Sequence, residues 1–293
     1  MPGQSSLDPH AILASLGVTA ANQAEPIAGG ADTALWRVLW RGQPYALRVF
    51  RPEQAAVCDR EVAAMQAAAT GGVPVPAVVR QGQWEDRPAL LLSWMAGRPL
   101  AEQLFAQPHL IWQLGKAFGR TQAAIHALAA PPGLTATHWI EWAGDEPELK
   151  ARLYDLPSRK TALLHLDYHP LNLMVQGSQI SGVLDWANAR AGDPRADCAR
   201  TYTILRVEPQ SPNGDSLPMA VARRLLERAW RAGYLQAGGR LEDMALFYAW
   251  AGAVMIRDLS PRVNSPDFWL QAHHLDSVRG WCDAWKRRAS IPV

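Results

Sequence analysis

The chain has 293 residues, of which 48% are apolar and 19% charged, a balance typical of folded globular proteins that excludes a disordered or fibrous one. Its net charge of +2 comes from 29 basic and 27 acidic residues that do not run in blocks, which argues against nucleic-acid binding. Three widely spaced cysteines predict free thiols in a reducing cytosol, and no apolar run reaches membrane-spanning length. We therefore expect a cytoplasmic protein without a membrane partner, a monomer or a small homo-oligomer.

The N-terminal part of the chain is predicted to form short strands around glycine-rich turns. A helix capped by Asp8 comes first, and two runs rich in β-formers, ALWRVLW and YALRVF, occupy residues 34–40 and 45–50. Gly29 and Gly30 precede these runs. Glycines at this place allow backbone amides to approach a phosphate, and a plain tight turn is the alternative interpretation.

A helix and two more strands follow before helices dominate the chain. The alanine-rich segment at residues 52–72 begins with proline and ends with two glycines, which predicts a helix. The next two predicted strands lie at 73–84 and 86–97, and the second contains a continuous apolar run typical of a buried strand. From Pro99 onward, apolar residues recur at helical spacing. The last three predicted helices span 216–236, 240–259 and 266–289.

The segment LLHLDYHPLNLMVQGSQISGVLDW, residues 163–186, places several polar side chains in apolar surroundings, a pattern that usually marks a functional site. His165, Asp167 and Asn172 share an irregular proline-containing loop, and two apolar runs joined through a glycine predict a β-hairpin after it. This hairpin would return Asp185 to the side of Asn172, where the two side chains offer the hard oxygen ligands that Mg²⁺ prefers. Asp167 is then free to accept a proton from an attacking hydroxyl, and we expect His165 to fix the loop by hydrogen bonding rather than to act as a base.

The spacing in this segment resembles the H-x-D-x-x-x-x-N and I-D-W motifs of the aminoglycoside phosphotransferase and choline kinase family, small-molecule relatives of the protein kinases. Asn172 follows the motif's aspartate by five residues, and Asp185 follows Asn172 by thirteen. The resemblance implies an α+β, bilobal protein-kinase-like fold. Its small antiparallel-sheet N-lobe would span residues 1–94 and its mainly helical C-lobe residues 95–293. Leu166 stands where protein kinases carry an arginine, which favours a site that is assembled without phosphorylation.

The resemblance also assigns roles to individual side chains. Asp167 would orient and deprotonate the acceptor hydroxyl, while Asn172 and Asp185 would hold Mg²⁺. Arg48, on the third strand, would engage the phosphates of ATP, or of GTP, where protein kinases use a lysine, and Glu61 on the following helix would position it. Arginine binds phosphate through a planar fork rather than as a point charge, so the phosphate geometry would differ from that of the lysine enzymes.

Two of these assignments have alternatives within the same elements. Arg48 is also interpretable as a solvated arginine of an exposed strand position. Asp59 and Glu53 lie on the same helix as Glu61, and either is an alternative partner for Arg48.

Other residues would support the nucleotide and the catalytic loop. The backbone of Ser93, Trp94 and Met95 corresponds to the hinge that hydrogen-bonds the adenine in the resembled family, although Trp94 also suits an ordinary packing role. Asp193 and Asp197 belong to a G-D-P-x-x-D-x-A element of that family. We expect them to brace the catalytic loop and to cap the helix that follows.

The acceptor is the least defined part of the interpretation. Residues 195–260 contain nine arginines and seven acidic residues, which is not the acidic excess that a polycationic aminoglycoside favours. The tryptophan-rich late region allows an aromatic cage for a quaternary amine such as choline, and packing between helices is the commoner role. We expect phosphoryl transfer from ATP or GTP to a hydroxyl of a small molecule, of the aminoglycoside-like, choline, homoserine or sugar amine class.

Three alternatives to a small-molecule kinase remain at this point. The arginine at position 48 prompts the first, a catalytically silent nucleotide-binding module. A protein kinase is disfavoured because only a short segment separates Asp185 from Asp193, too short for an activation segment with phosphorylatable residues. A metal-dependent hydrolase is the third and most distant.

Overall fold

A short helix opens the secondary structure, a five-stranded sheet with one long helix follows, and mostly helices make up the remainder. The computed structural model describes residues 7–27, 33–134, 139–157, 161–209, 211–266 and 268–292. Its strands are β1 (Gln23–Pro26), β2 (Ala34–Trp40), β3 (Gln43–Val49), β4 (Val78–Trp84), β5 (Arg87–Ser93), β6 (Arg98–Pro99), β7 (Ala162–Leu164), β8 (Leu173–Gln176), β9 (Gln179–Val183) and β10 (Arg190–Gly192). Its α-helices are α1 (Pro9–Ser15), α2 (Ala55–Thr70), α3 (Leu100–Ala106), α4 (Ile111–Ala127), α5 (Pro147–Tyr154), α6 (Pro194–Val207), α7 (Leu217–Gln236), α8 (Ala245–Leu259) and α9 (Asp276–Arg288).

The first five strands form one antiparallel sheet in the order β1-β2-β3-β5-β4. Helix α1 packs on one face of this sheet, where Ala89 and Leu91 belong to the same buried cluster as the helix. Helix α2 packs on the other face with Leu90 and Leu92. Because successive side chains of a strand point to opposite faces, a strand covered on both faces needs an unbroken apolar run. This explains the continuous apolar sequence of β5.

The catalytic hairpin forms as the sequence predicts. Strands β8 and β9 pair antiparallel with Leu173 opposite Val183, and Gly177 adopts φ of +62° in the two-residue turn that joins them. Strand β6 pairs with the other edge of β8, and Gly97 just before it lies so close to β8 that an added Cβ would be 2.1 Å from the carbonyl oxygen of Val175. The hairpin is therefore held against the chain segment that connects the sheet to the helices.

Glycines allow helices α4 and α7 to approach each other closely. A Cβ added at Gly119 would lie 2.0 Å from the carbonyl oxygen of Trp230, and one added at Gly233 would lie 2.1 Å from that of Lys116. These distances are much shorter than any van der Waals contact, so the backbones can meet only where side chains are absent. Helix α4 also accepts a hydrogen bond of 2.8 Å at the carbonyl of Phe118 from the hydroxyl of Tyr168, which connects this packing to the catalytic loop.

We expect the substitution Gly119→Ala to lower the unfolding free energy by about 2 kcal/mol, because the new methyl group forces two packed helices apart. Urea denaturation followed by circular dichroism measures the change. Gly280→Ala on α9 is the matched control, since an added Cβ there meets nothing within 4 Å and alanine is the better helix former. Equal stability of the two variants would contradict the close-packing account.

Of the three predicted late helices, α7 (Leu217–Gln236) matches the prediction of 216–236, and the other two begin later than expected. Helix α8 starts at Ala245 rather than at 240, because Asp243 adopts φ of +53°, which a right-handed helix cannot contain. Helix α9 starts at Asp276 rather than at 266, and the residues just before it form a 3-10 turn over Ala272–Leu275. Apolar spacing alone does not mark these interruptions. Among the described residues, no helix combines the length and apolarity that crossing a membrane requires.

Candidate active site

A buried aspartate on α6 anchors the catalytic loop. The carboxylate of Asp197 accepts hydrogen bonds from the backbone amides of His165 (3.0 Å) and Leu166 (2.8 Å), and its Oδ2 lies 2.9 Å from Nε2 of His126. Burial acts to raise the pKa of Asp197, but the hydrogen bond and charge of His126 outweigh it and lower the pKa. These bonds hold Leu166 at φ of +61°, an unfavourable conformation for a leucine. The bracing role predicted for Asp197 is confirmed, and Asp193 caps α6 by accepting from the amide of Arg195.

His165 fixes the loop from the inside. Its side chain is fully buried, its Nε2 lies 2.9 Å from the carbonyl oxygen of Leu184, and its Nδ1 accepts a 3.3 Å hydrogen bond from the amide of Asp167. Desolvation lowers the pKa of His165, which favours the neutral ring with its proton on Nε2. Both ring nitrogens are thus used by the backbone, which agrees with the structural role expected from the sequence.

Asp167 lies at the open side of the loop. Nδ2 of Asn172 donates to the backbone carbonyl of Asp167 (3.0 Å) and to its Oδ2 (3.4 Å), and Nε2 of His169 lies 3.7 Å from the same oxygen. Burial acts to raise the pKa of Asp167, but the hydrogen bond and charge of His169, with the charge of Arg200, bring it down to about 2. Asp167 is therefore a carboxylate at neutral pH, in a position to accept a hydrogen bond from a hydroxyl.

Asn172 and Asp185 are brought together by the hairpin. The amide of Leu184 donates a 2.8 Å hydrogen bond to the carbonyl of Asn172, which fixes the residue before Asp185 beside the loop. Because Nδ2 of Asn172 faces the backbone of Asp167, its Oδ1 faces away and can serve as a metal ligand. The side chain of Asp185 is 44% exposed, and the backbone of this residue adopts φ of +60°.

These two oxygen donors fit a hard divalent cation that takes its remaining ligands from phosphate and water, as Mg²⁺ does. In the part of the chain that the structure describes, no group of three or more His, Cys, Asp or Glu side chains could hold a metal.

Arg48 connects the sheet, helix α2 and the hairpin. Its Nη1 donates to Oε1 of Glu61 at 2.5 Å, its Nη2 to Oδ1 of Asp185 at 3.2 Å and its Nε to the hydroxyl of Thr33 at 3.1 Å. Glu61 is therefore the partner of Arg48, whereas Asp59 accepts instead from the side chain of Gln81. This leaves the guanidinium between the sheet and Asp185, 14% exposed, where an arriving phosphate would meet it.

The predicted nucleotide loops are placed only in part. Gly29 and Gly30 lie outside the described residues. In the predicted hinge, the amide of Ser93 donates to the carbonyl of Ala77 at 2.9 Å and is no longer available to an adenine. The side chain of Trp94 lies with its ring 5.4 Å from the guanidinium of Arg37, and the side chain of Met95 packs against Gly182. The hinge role of Ser93, Trp94 and Met95 stays a prediction.

Three residues near the site were not indicated by the motifs. His169 lies beside Asp167; burial acts to lower its pKa, but the hydrogen bond and charge of Asp167 outweigh that effect and raise the pKa. Arg200 donates from Nε to the carbonyl of Leu166 at 3.3 Å, and Arg60 donates to the carbonyl of Ala187. Only His169 had a signal in the sequence, since it stands within the loop itself. The arginines reach the site across 34 and 127 residues of chain, a separation that local patterns do not reveal.

The late tryptophans mainly fill the core. Trp230 and Trp250 are fully buried. Trp281 and Trp285 are half-buried and pack together at a ring separation of 5.5 Å, with Tyr248 4.6 Å from Trp285. These rings contact one another rather than surround a space for a cation, so the packing interpretation fits them better than an aromatic cage.

The raised pKa of the Glu61 carboxyl group should make the unfolding free energy depend on pH. Burial raises its pKa to about 7, although the charge of Arg48 acts in the opposite direction. A carboxyl group with a raised pKa holds a proton in the folded chain that the unfolded chain has already released. The unfolding free energy therefore falls as the pH rises from about 4.5 to about 7. A Glu61→Gln variant lacks this decline, so its stability relative to the wild type should rise by up to about 1.4 kcal/mol per pH unit.

Urea titrations of both proteins at several pH values measure this difference. Glu53→Gln, at an exposed position just before α2, is the control, and its difference from the wild type should stay constant over the same range. A constant difference for Glu61→Gln as well would show that its pKa is not raised.

Several solved structures resemble the chain in fold. The chain resembles the crystal structure of a thermostable mutant of aminoglycoside phosphotransferase APH(4)-Ia over 96% of its own length and 98% of that chain, with a TM-score of 0.66 and 16% identity. A ternary complex of a mutant of the same phosphotransferase with AMP-PNP and hygromycin B matches over 94% and 96%, with a TM-score of 0.66 and 17% identity. Aminoglycoside phosphotransferase APH(3'')-Id from Streptomyces rimosus ATCC10970, in complex with ADP and streptomycin, matches over 85% and 99%, with a TM-score of 0.60 and 19% identity.

These structures share the fold, so the predicted protein-kinase-like architecture is confirmed. No curated protein matches the chain. The family description "APH: Phosphotransferase enzyme family" matches residues 23–154 and 145–250, which together exceed half of the chain. The chain is therefore an enzyme that belongs to the APH phosphotransferase family.

Proposed function

We propose that this enzyme transfers the γ-phosphoryl group of ATP, or of GTP, to a hydroxyl group of a small molecule. The observation that carries the proposal is the meeting of Asp167, Asn172 and Asp185 beside the ion pair of Arg48 with Glu61. Phosphoryl transfer needs few covalent steps from the protein and depends on positioning and on charge at the phosphates. A carboxylate for the hydroxyl, two oxygen ligands and a buried cation meet these needs.

Each side chain has one task in this proposal. Asp167 accepts the proton of the acceptor hydroxyl as it attacks, and its ionised state suits that task. Asn172 Oδ1 and the Asp185 carboxylate would hold Mg²⁺, and that cation would supply positive charge to neutralise the phosphates. Arg48 engages the phosphates through its planar guanidinium, and Glu61 keeps that group in place.

The two lobes have separate tasks in this proposal. Residues 1–94 form the nucleotide-binding lobe, in which Gly29 and Gly30 are assigned to phosphate binding and Ser93 to Met95 to adenine binding. Residues 95–293 hold the catalytic loop and the acceptor. The enzyme acts in the cytoplasm as a monomer or small homo-oligomer, in keeping with its three free, buried cysteines.

Aminoglycosides are the first acceptor class to test. Structures that resemble this chain hold hygromycin B and streptomycin, although the even balance of charges in residues 195–260 is unusual for a site that takes a polycation. Choline, homoserine and sugar amines are the other classes that we propose to include. All of them present a hydroxyl group near an amine.

A coupled assay of nucleoside diphosphate release against this panel, which follows ADP from Mg·ATP and GDP from Mg·GTP, tests the proposal. We expect one class to give a phosphorylated product, identified by its added mass of one phosphoryl group. Nucleotide binding without any product across a broad panel favours the silent nucleotide-binding module that Arg48 prompts. Nucleotide loss with water as the only acceptor favours a hydrolase.

A further inference from the structure

We propose that Arg60 is a positioning residue that fixes helix α2 to the segment after Asp185, so that the nucleotide site stays assembled without any modification of the chain. The inference rests on the proposed function and extends it to a residue outside the motifs. Arg60 touches none of the reacting groups. Its proposed role is to keep Glu61, Arg48 and Asp185 at the distances that allow them to contact one another.

The contact joins two distant parts of the chain. Nε and Nη2 of Arg60 both donate to the carbonyl oxygen of Ala187, at 3.2 and 3.1 Å. Nη1 donates to the carbonyl of Ala56 in the same helix, at 3.4 Å. The guanidinium is thereby held on its own helix while it binds the opposite segment, and two donors on one acceptor define its direction.

The segment that Arg60 binds, residues 184–187, contains an unfavourable backbone conformation that other contacts must stabilise. Asp185 adopts φ of +60°, which costs free energy for a residue other than glycine. Contacts with the loop that carries Asn172 and with the end of strand β9 hold the segment on one side. The amide of Leu184 donates to Asn172, and the indole of the fully buried Trp186 donates to the carbonyl of Val183 at 3.0 Å. Arg60 connects α2 to Ala187, at the C-terminal end of this segment.

Arg60 and Glu61 are consecutive, which makes the two contacts interdependent. Glu61 is 1% exposed and binds Arg48, which in turn binds Asp185. Arg60 reaches Ala187 two residues further along the same segment. A shift of α2 away from the segment would therefore lengthen both connections at once. Loss of the Arg60 contact permits that shift, and the consequence should fall on the nucleotide rather than on the acceptor.

The experiment compares the full-length wild type with Arg60→Gln, Arg60→Lys and the control Arg80→Gln, which removes an exposed arginine of β4. Titration with ADP and Mg²⁺ gives the nucleotide Kd without turnover. Steady-state kinetics give kcat and the KM values for nucleotide and acceptor. Amide hydrogen exchange of the nucleotide-free protein reports whether α2 stays docked.

We expect Arg60→Gln to raise the nucleotide Kd and KM about tenfold, to leave the acceptor KM unchanged and to speed amide exchange in α2. Arg60→Lys, which keeps one charged donor, should recover part of each effect. Nucleotide Kd and exchange rates equal to those of Arg80→Gln would overturn the proposal. A general loss of fold would instead speed exchange across the whole chain and raise the acceptor KM as well.

Failure of the proposed function is distinguishable from failure of this inference. If no acceptor is phosphorylated, the Kd and the exchange of α2 still report on Arg60. If the wild type binds no nucleotide, the proposed function is wrong, and faster exchange confined to α2 in Arg60→Gln alone decides whether the residue fixes the helix.

Discussion

An Asp185→Asn variant should lose phosphoryl transfer by about a thousandfold, because the site would lose a charged oxygen ligand for the proposed Mg²⁺. Asparagine is the informative replacement at this position. It tolerates the positive φ of Asp185, so the backbone of the segment stays as it is while the charge is removed. The side chain is 44% exposed, and we therefore expect the unfolding free energy to change little. Single-turnover assays with the acceptor found in the panel, at several Mg²⁺ concentrations, measure the effect.

The control for this prediction is Asp86→Asn, which removes an exposed carboxylate from the turn between β4 and β5. It should keep wild-type turnover. Asp185→Ala adds the steric cost of a left-handed alanine and should be inactive and slightly less stable. Full turnover of either Asp185 variant with Mg·ATP would exclude the proposed metal role.

The second large effect concerns Asp167. An Asp167→Asn variant should lose about 10²–10⁴ in kcat, because the acceptor hydroxyl loses the group that orients it and takes its proton. The nucleotide Kd should stay close to the wild-type value, since Arg48 and the oxygen ligands remain in place. The new carboxamide keeps the shape of the side chain and its place beside Asn172, where the carboxylate now accepts at 3.4 Å.

Asp276→Asn at the start of α9, where the side chain is 70% exposed, is the matched control and should leave kcat unchanged. Because the pKa of Asp167 is about 2, its carboxyl group is already ionised at neutral pH. Raising the pH above neutrality should therefore not increase the kcat of the wild type through this group. A fall in nucleotide affinity that equals the fall in kcat would mean that Asp167 acts on the phosphates instead.

Local chemistry in the sequence predicted the elements that hold the site. The apolar run of β5 indicated a strand covered on both faces, and a glycine between two short runs indicated the β8–β9 hairpin. Helix starts were less predictable. Asp243 interrupts an otherwise suitable helical spacing through its backbone conformation, and no single residue type signals that.

The site was predictable as far as its motifs extend. The five-residue spacing placed Asp167 and Asn172 on one loop, and the hairpin returned Asp185 to them. The choice of Glu61 over Asp59 depended on the family resemblance, and the structure agrees with it. Contacts between side chains and distant carbonyls, such as that of Arg60 with Ala187, follow from the packing of whole helices and have no local signature.

One apolar cluster runs without interruption from the inner face of the sheet into the helical part. It includes Phe50 and Leu92 at the sheet, Met65 on α2, Phe118 on α4 and Leu173 on β8. Because neither half completes this core alone, the two halves are constrained to evolve together, and a chimaera that takes one of them from a distant relative must bring matching partners for these side chains.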